Sequence, residues 1–384
     1  MGGELMAAEI GEQPEVLARI QQRGRPEIAR VAREIRSRHP RFAIFIARGT
    51  SDHAALYAKY LVETRLGLPA GSASPSTMTV YDARPEMRDV LVVVVSQSGA
   101  SPDLIEPTLR ARAGGAVTVA VTNSPGSPLA AAAEYHLDVL AGPERAVAAT
   151  KSYTAELLTL FYLVEALAGR AGDEASVLPE QAAALLTREE EIARLAIRYR
   201  FAEQLVVTAR GYNYATARET ALKLMETTYV VAHAFSGADL LHGPMAMIDR
   251  GFPVLAIAPS GPGATALRPV LERLRDLGAD TLIAGEPSLV ALGTVGFPLV
   301  NLGEECVTPI LAILPMQQLA LHLARERGVD PDRPRGLHKV TEPGVGRLAF
   351  RRRVSGIHVS RSILGGRTRP CPAHPDGRRP TPES

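Results

Sequence analysis

Residues 89–95 read DVLVVVV, with an apolar side chain at every position from Val90 to Val95. A β-strand sends successive side chains to opposite faces, so an unbroken apolar run needs cover on both. Such a strand fits a sheet clad in helices on both sides. Its neighbours agree. FAIFIA (42–47), AVTVAVTN (116–123) and YHLDVLA (135–141) read as further strands. DHAALYAKYLVETRL (52–66), a run from Ser101 to about Ala113 and a long apolar run from Ala148 to Leu167 carry helical spacing. Strands alternating with helices predict parallel βαβ units and an α/β fold.

The pattern then restarts. QLVVTARGYNYATARETALKLMET (204–227) echoes FAIFIARGTSDHAALYAKYLVET (42–64), with Ala209-Arg210-Gly211 in the place of Ala47-Arg48-Gly49. PVLAIAP (253–259), TLIAGE (281–286) and FPLVNL (297–302) supply further strands, and helical runs cover 264–277 and 308–327. Two copies of one three-layer αβα unit are expected. Residues 7–38 are expected to form two helices ahead of them, and the polar stretch AGRAGDEASVLPEQ (168–181) to lead through a charged connector helix between them.

Composition narrows the function. The formal net charge of +2 and the pI of 8.6 come from the end of the chain, where nine arginines after residue 343 face only Asp376 and Glu383. The body carries no basic stripe of the kind that neutralises phosphates along a nucleic acid, so no nucleic-acid partner is expected. The Arg-, Pro- and Gly-rich segment 344–384 reads as a disordered basic tail. Cys306 and Cys371 make no metal-ligand spacing and no disulfide framework, which suits the cytoplasm. No signal peptide is expected from the first residues. No apolar stretch reads as the roughly 20 residues a bilayer requires, so no membrane is expected either.

The apolar strand ends in Ser96-Gln97-Ser98-Gly99-Ala100-Ser101-Pro102-Asp103. Ligands of open α/β sheets sit beyond the carboxyl ends of the strands. Ser101 at an N-cap with Pro102 at the first helical position starts a helix there, and the free N–H groups of a helix start attract an anion. Ser96, Ser98 and Ser101 add hydroxyls, Gln97 an amide, and Gly99 lets the backbone approach closely. The plainer alternative is a polar turn with a helix cap. Two further loops, Gly49-Thr50-Ser51-Asp52 and Thr122-Asn123-Ser124, end neighbouring strands in the same chemistry and favour the anion. Neither a GxGxxG nor a GxxxxGK[ST] pattern is present at this site, which points to a small phosphate ester rather than a nucleotide. The second copy carries Arg210-Gly211-Tyr212-Asn213 and Pro259-Ser260-Gly261 instead, without the hydroxyl cluster.

Taken in order, RGTSDHA (48–54), SQSGASPD (96–103), AVAATKSYTAEL (146–157), ETALKLMET (219–227), LLHGPMAMID (240–249) and RGLHKVTEP (335–343) resemble the sugar-isomerase (SIS) family in its double-domain form. The likeness runs from about residue 7 to residue 343. It is strongest to the SIS-type glucosamine-6-phosphate deaminases and to the isomerase half of glucosamine-6-phosphate synthase. It implies two tandem flavodoxin-like domains with parallel sheets: a helical segment 1–40, a phosphate-binding domain 41–170, a connector 171–200, a second domain 201–330 and a C-terminal loop 331–343 over the site. Gly2 stands where a glutaminase would carry its Cys nucleophile, so glutamine hydrolysis is not expected.

The implied reaction is glucosamine 6-phosphate plus water to fructose 6-phosphate plus ammonia, with no cofactor and no metal. By resemblance, Glu226 is the proton carrier between C1 and C2, with Glu219 the nearby rival carboxylate. Lys223, three residues before Glu226, orients that carboxylate or polarises the open-chain oxygen. His242 resembles the ring-opening acid–base that reaches in from a neighbouring subunit, so a homodimer with shared sites is implied. Lys339 resembles the lysine that covers the sugar, as a Schiff base or as a cation. Thr50, Ser51, Ser96, Gln97, Ser98 and Ser101 are the implied phosphate ligands, and Ala149 and Thr150 line the sugar. Met225 stands where related sequences usually carry a second lysine. Two rival readings stay open: another sugar-phosphate isomerase or a fructosamine-phosphate deglycase, and a non-catalytic sugar-phosphate sensor.

Overall fold

The computed structural model describes residues 2–299, 303–337 and 339; the expected tail 344–384 lies outside the described residues. The first sheet holds β1 (Phe42–Ile46), β2 (Ala70–Ser72), β3 (Val90–Ser96), β4 (Val117–Thr122) and β5 (Tyr135–Asp138), in the order β2-β1-β3-β4-β5. The second holds β6 (Gln204–Ala209), β7 (Val231–Ser236), β8 (Pro253–Ala258), β9 (Asp280–Gly285) and β10 (Val295–Pro298), in the order β10-β9-β8-β6-β7. Every pairing is parallel. Counted within its own half, each sheet has the flavodoxin-like order 2-1-3-4-5, whose direction of winding reverses between the first and third strands. The duplication seen in the sequence is therefore a duplication of topology.

The edge strands β2 and β7 escape the pattern of apolar runs. Ala-Gly-Ser is too short and too small to announce a strand, and VAHAFS alternates weakly beside a strong helix. The amino-terminal region forms three helices rather than two: α1 (Glu4–Gly11), α2 (Gln13–Arg19) and α3 (Arg25–Ser37), with a π turn over Ile20–Gly24 before the last.

Strand side chains alternate between two cores. On β3, Leu91, Val93 and Val95 enter one large cluster, while Val92 and Val94 enter a smaller outer one. On β8, Leu255 and Ile257 enter the same large cluster, and Val254 and Ala256 face another outer one. The large cluster thus spans both halves, and the described residues of the two pack as one compact unit. Each fully buried Val or Leu contributes about 1.5–3 kcal/mol. Five such residues lie on β3.

The shared cluster draws on α4 (Thr50–Leu61), α6 (Lys151–Leu167), α7 (Leu178–Leu186), α8 (Glu189–Arg198), α9 (Tyr214–Thr228) and α11 (Thr308–Glu326), while α5 (Pro102–Ala113) and α10 (Pro262–Asp276) cover the outer faces. The helical run Glu305–Glu326 is, contrary to the sequence expectation, long and apolar enough to cross a membrane by length and composition. It is instead the central helix of the shared core, with 94% of its most apolar window buried. An interior helix flanked by apolar neighbours on all sides meets the same hydropathy test as a membrane span.

Candidate active site

β1 and β3 are hydrogen-bonded neighbours, with Ile46 opposite Val94, so the loops leaving their carboxyl ends lie side by side at the reversal point of the first sheet. Arg48 joins them, its guanidinium reaching the Asp103 carboxylate at 2.5 and 3.1 Å. In the second loop the Ser96 hydroxyl accepts the Gly99 N–H at 3.2 Å, and the Ser98 hydroxyl accepts the Ala100 N–H at 3.4 Å. Each serine uses a lone pair to shape the loop and keeps its own hydrogen to donate. Ser101 is the N-cap of α5 with Pro102 behind it, as expected, yet its side chain makes no capping bond, so that hydroxyl is not consumed by the helix. Gly99 has φ +60°, and a Cβ there would lie 2.2 Å from Ser127 Oγ, so no other residue lets the loop close this tightly. Hydroxyl hydrogens, loop amides and a helix start together suit an anion. Gln97 is half-buried, and its backbone carbonyl accepts the Asn123 N–H at 3.1 Å, tying in the loop after β4.

The equivalent place in the second half is already taken. The Glu305 carboxylate accepts the Gly263 N–H at 3.0 Å at the start of α10. A side-chain anion sits where the first half offers room for a bound one, and burial raises the carboxyl pKa of Glu305.

Glu219, Lys223 and Glu226 share one face of α9 through i,i+4 and i,i+3 spacing. Lys223 Nζ lies 3.3 Å from Glu219 and 2.6 Å from Glu226. Glu219 is fully buried and Lys223 almost so, whereas the Glu226 side chain keeps 23% exposure, enough to meet a substrate. The burial of Lys223 works against its charge, but the two carboxylates outweigh this and hold its pKa above the ordinary value. It is an ammonium, not a base. This face meets the first half directly. Thr50 Oγ1 donates to Glu219 at 3.1 Å and accepts from Lys223 at 3.1 Å, and His53 Nδ1 lies 2.7 Å from Glu219. Thr50, expected among the phosphate ligands, is thus tied to the carboxylate–ammonium cluster, next in sequence to Ser51. A cleft of about 380 Å³ opens beside this junction, lined by Gly49, Asp52, His53, Arg218 and Met225 among others.

Glu144 organises the third part. It is buried and accepts from Thr150 N–H at 2.9 Å, Ser152 N–H at 3.0 Å, Ser152 Oγ at 2.7 Å and Lys339 Nζ at 2.9 Å. Burial pushes its pKa up, but Lys339 and these hydrogen bonds bring it below the usual value. The same contacts explain why α6 begins at Lys151 rather than near Ala148: the carboxylate takes the N–H groups of the helix start. Lys339 is thereby pinned beside the segment holding half-buried Ala149 and fully buried Thr150, whose hydroxyl has no partner among the described residues.

His242 is not brought into this cluster. It is exposed on the turn after the short helix Gly237–Leu241, and its only described bond is from its backbone N–H to Asp239 O at 3.0 Å. Sequence reasoning missed Glu144, Glu156 and His53. Glu156 was the most detectable, as an acidic residue directly before the apolar run that opens with Leu157 and Leu158 on α6. Among the described residues one set, Glu174, Glu304 and Cys306, has metal-ligand spacing. Arg65 already neutralises it, 2.6 Å from Glu174 and 3.3 Å from Glu304, and burial pushes the Cys306 thiol up to about 12. A neutral thiol beside a guanidinium suits a structural cluster better than a cation site.

The SIS domain profile matches residues 34–166 and 199–284, more than half of the chain. The glutamine–fructose-6-phosphate aminotransferase (isomerizing) of Methanothermobacter thermautotrophicus is 37% identical over 299 residues, covering 77% of this chain and 50% of that protein. The chain spans about half the length of the curated relatives it matches. A crystal structure from Silicibacter pomeroyi DSS-3, provisionally described as a phosphosugar isomerase, superposes with TM-score 0.78 at 35% identity, over 86% of this chain and all of that one. The C-terminal domain of the glucosamine-fructose-6-phosphate aminotransferase of Francisella tularensis gives TM-score 0.76 at 25% identity, over 86% and 98%. With two copies of one flavodoxin-like sheet and the profile matching in both, the chain belongs to the SIS-domain family.

Proposed function

We propose that the protein converts glucosamine 6-phosphate and water to fructose 6-phosphate and ammonia. The observation that carries this reading is the Glu219–Lys223–Glu226 ladder, buried at Glu219 and Lys223 and open at Glu226, which touches the first half's strand-end loop through Thr50. A sugar held by its phosphate on Ser51, Ser96, Ser98 and Ser101, with Gln97 beside them, extends its other end toward that ladder.

The chemistry follows from the residues. After ring opening, a base removes the proton from C2 of the open-chain amino aldose and the same proton is delivered to C1. The product is a C2 imine, to which water adds and from which ammonia leaves. Glu226, partly exposed and adjacent to an ammonium, is the proton carrier. Lys223, kept protonated by two carboxylates, offsets charge that develops on the enol-type intermediate. Glu219 holds Lys223 and is too deeply buried to be the carrier. Lys339, ion-paired with Glu144, covers the sugar near Ala149 and Thr150. His242, exposed and away from its own chain's cluster, opens the ring from a second copy in a homodimer. The proposed setting is the cytoplasm, and the reaction uses no glutamine, metal or organic cofactor.

The test is incubation with glucosamine 6-phosphate alone, with ammonia and fructose 6-phosphate measured in the same vessel. Equimolar release of both is expected. Aldose–ketose exchange on other sugar phosphates without ammonia overturns the deaminase in favour of a plain isomerase, and binding without turnover overturns catalysis altogether.

A further inference from the structure

Helix α6 carries two acidic side chains that are each 1% exposed, Glu156 and Glu165. Glu165 is met by Arg65 at 2.8 Å and Arg170 at 2.6 Å. Glu156 has no such partner. Its Oε1 lies 2.8 Å from Ser51 Oγ, its Oε2 has no partner among the described residues, and no cation there forms an ion pair with it. The groups that face it are Ser51 on α4, Tyr153 on its own helix, Glu144 in the loop before that helix, Glu219 on α9 and Lys339 at the carboxyl end. Two are carboxylates, and the one cation, Lys339, is engaged by Glu144.

A serine hydroxyl has a single hydrogen. Beside an ionised carboxylate, which only accepts, Ser51 must give that hydrogen to Glu156 and turn bare lone pairs toward an incoming phosphate. Beside a neutral carboxylic acid the bond reverses: the acid donates, and Ser51 is free to donate to the phosphate, as Ser96 and Ser98 are. We infer that Glu156 is held as the neutral acid and is the positioning residue that makes Ser51 a phosphate donor, ionisation of Glu156 switching that donor off. This rests on the reading of the serine-lined loops as the phosphate site. Burial, unrelieved by a counterion and reinforced by Glu144 and Glu219, raises the carboxyl pKa well above its ordinary value, more than the Ser51 bond and Lys339 lower it. The sign follows: the donor is present below that raised pKa and is lost as pH rises through it.

The experiment compares wild type with Glu156→Gln, whose carboxamide donates to Ser51 at any pH. Fructose 6-phosphate binding is read by calorimetry across a pH series, and the carboxylic-acid C=O band by infrared difference spectroscopy between the two unliganded proteins. Near neutral pH the affinities should agree within about threefold and the acid band should be present. As pH rises, wild type should weaken relative to Glu156→Gln by about ten- to hundredfold, one hydrogen bond to a charged group. Ser51→Ala should abolish that pH-dependent loss while keeping the infrared band. Three results would overturn the inference: no acid band at neutral pH, tenfold tighter binding by Glu156→Gln at neutral pH, or an affinity ratio constant up to the pH at which the fold is lost. Failure of the deaminase reading shows separately, as absent ammonia with sugar-phosphate binding and its pH dependence intact.

Discussion

Replacing Lys223 by Met keeps the length of the side chain and removes its charge from a place where three groups depend on it. Lys223 is 1% exposed, 3.3 Å from Glu219, 2.6 Å from Glu226 and 3.1 Å from Thr50 Oγ1. Without it, Glu219 remains fully buried with only Thr50 and His53 as partners among the described residues. Removing one member of a buried ion pair costs about 3–5 kcal/mol, because the surviving charge has lost its compensation. With a urea slope near 3 kcal/mol/M, the upper end for small proteins, the unfolding midpoint should fall by roughly 1 M or more. Adding Glu219→Gln removes the stranded charge and should restore about 1–3 kcal/mol as a coupling between the two sites. Both are measured by circular dichroism in urea at neutral pH, with refolding checked from the denatured side. If Lys223→Met unfolds within about 1 kcal/mol of wild type, or if the second substitution restores nothing, the ladder is not held by this ammonium and the reasoning fails. The raised pKa of Lys223 adds a pH signature. Its contribution is complete below the ordinary lysine pKa and disappears as pH rises through the higher folded value, so wild type should lose stability at strongly alkaline pH more steeply than the double variant.

The remaining predictions concern the rest of the site. Glu226→Gln should lower turnover of glucosamine 6-phosphate by about 10²–10⁴-fold and leave KM within about threefold in steady-state ammonia assays; an unchanged rate removes it from the chemistry. Ser98→Ala should raise KM by about tenfold or more with little effect on kcat, and an unaltered KM counts against the phosphate loop. Glu144→Gln should cost about 3 kcal/mol in urea unfolding at neutral pH, since a buried acceptor loses its charge opposite Lys339. Because the folded pKa of Glu144 is depressed, its stabilisation exists above the ordinary carboxylate range and is lost as pH falls through the lower value. The difference between Glu144→Gln and wild type should therefore shrink in acid, and a constant difference refutes the assignment.

Much of this architecture could be read along the chain. Apolar runs that need cover on both faces announce β1, β3, β4 and β8, and the echo of 42–64 in 204–227 announces the second sheet. These are properties of nearest neighbours and short periods, so they survive in one dimension. The spacing of Glu219, Lys223 and Glu226 is equally local: three to four residues along a helix place side chains on one face whatever surrounds them. β2 and β7 were not legible, because an edge strand is defined by the strand it joins more than by its own residues.

What the tertiary structure alone decided is which charges are compensated. Glu144 meets Lys339 across 195 positions, Glu219 meets His53 across 166, and Ser51 meets Glu156 across 105. No period along the chain encodes such meetings. A carboxylate's protonation state depends on its burial and on the charges within a few ångströms, and both exist only once the two halves have closed on their common core. Local pattern is sufficient for strands, helices and the loop that invites an anion. Whether a buried acid is an anion, a neutral donor or a counterion is set by long-range packing.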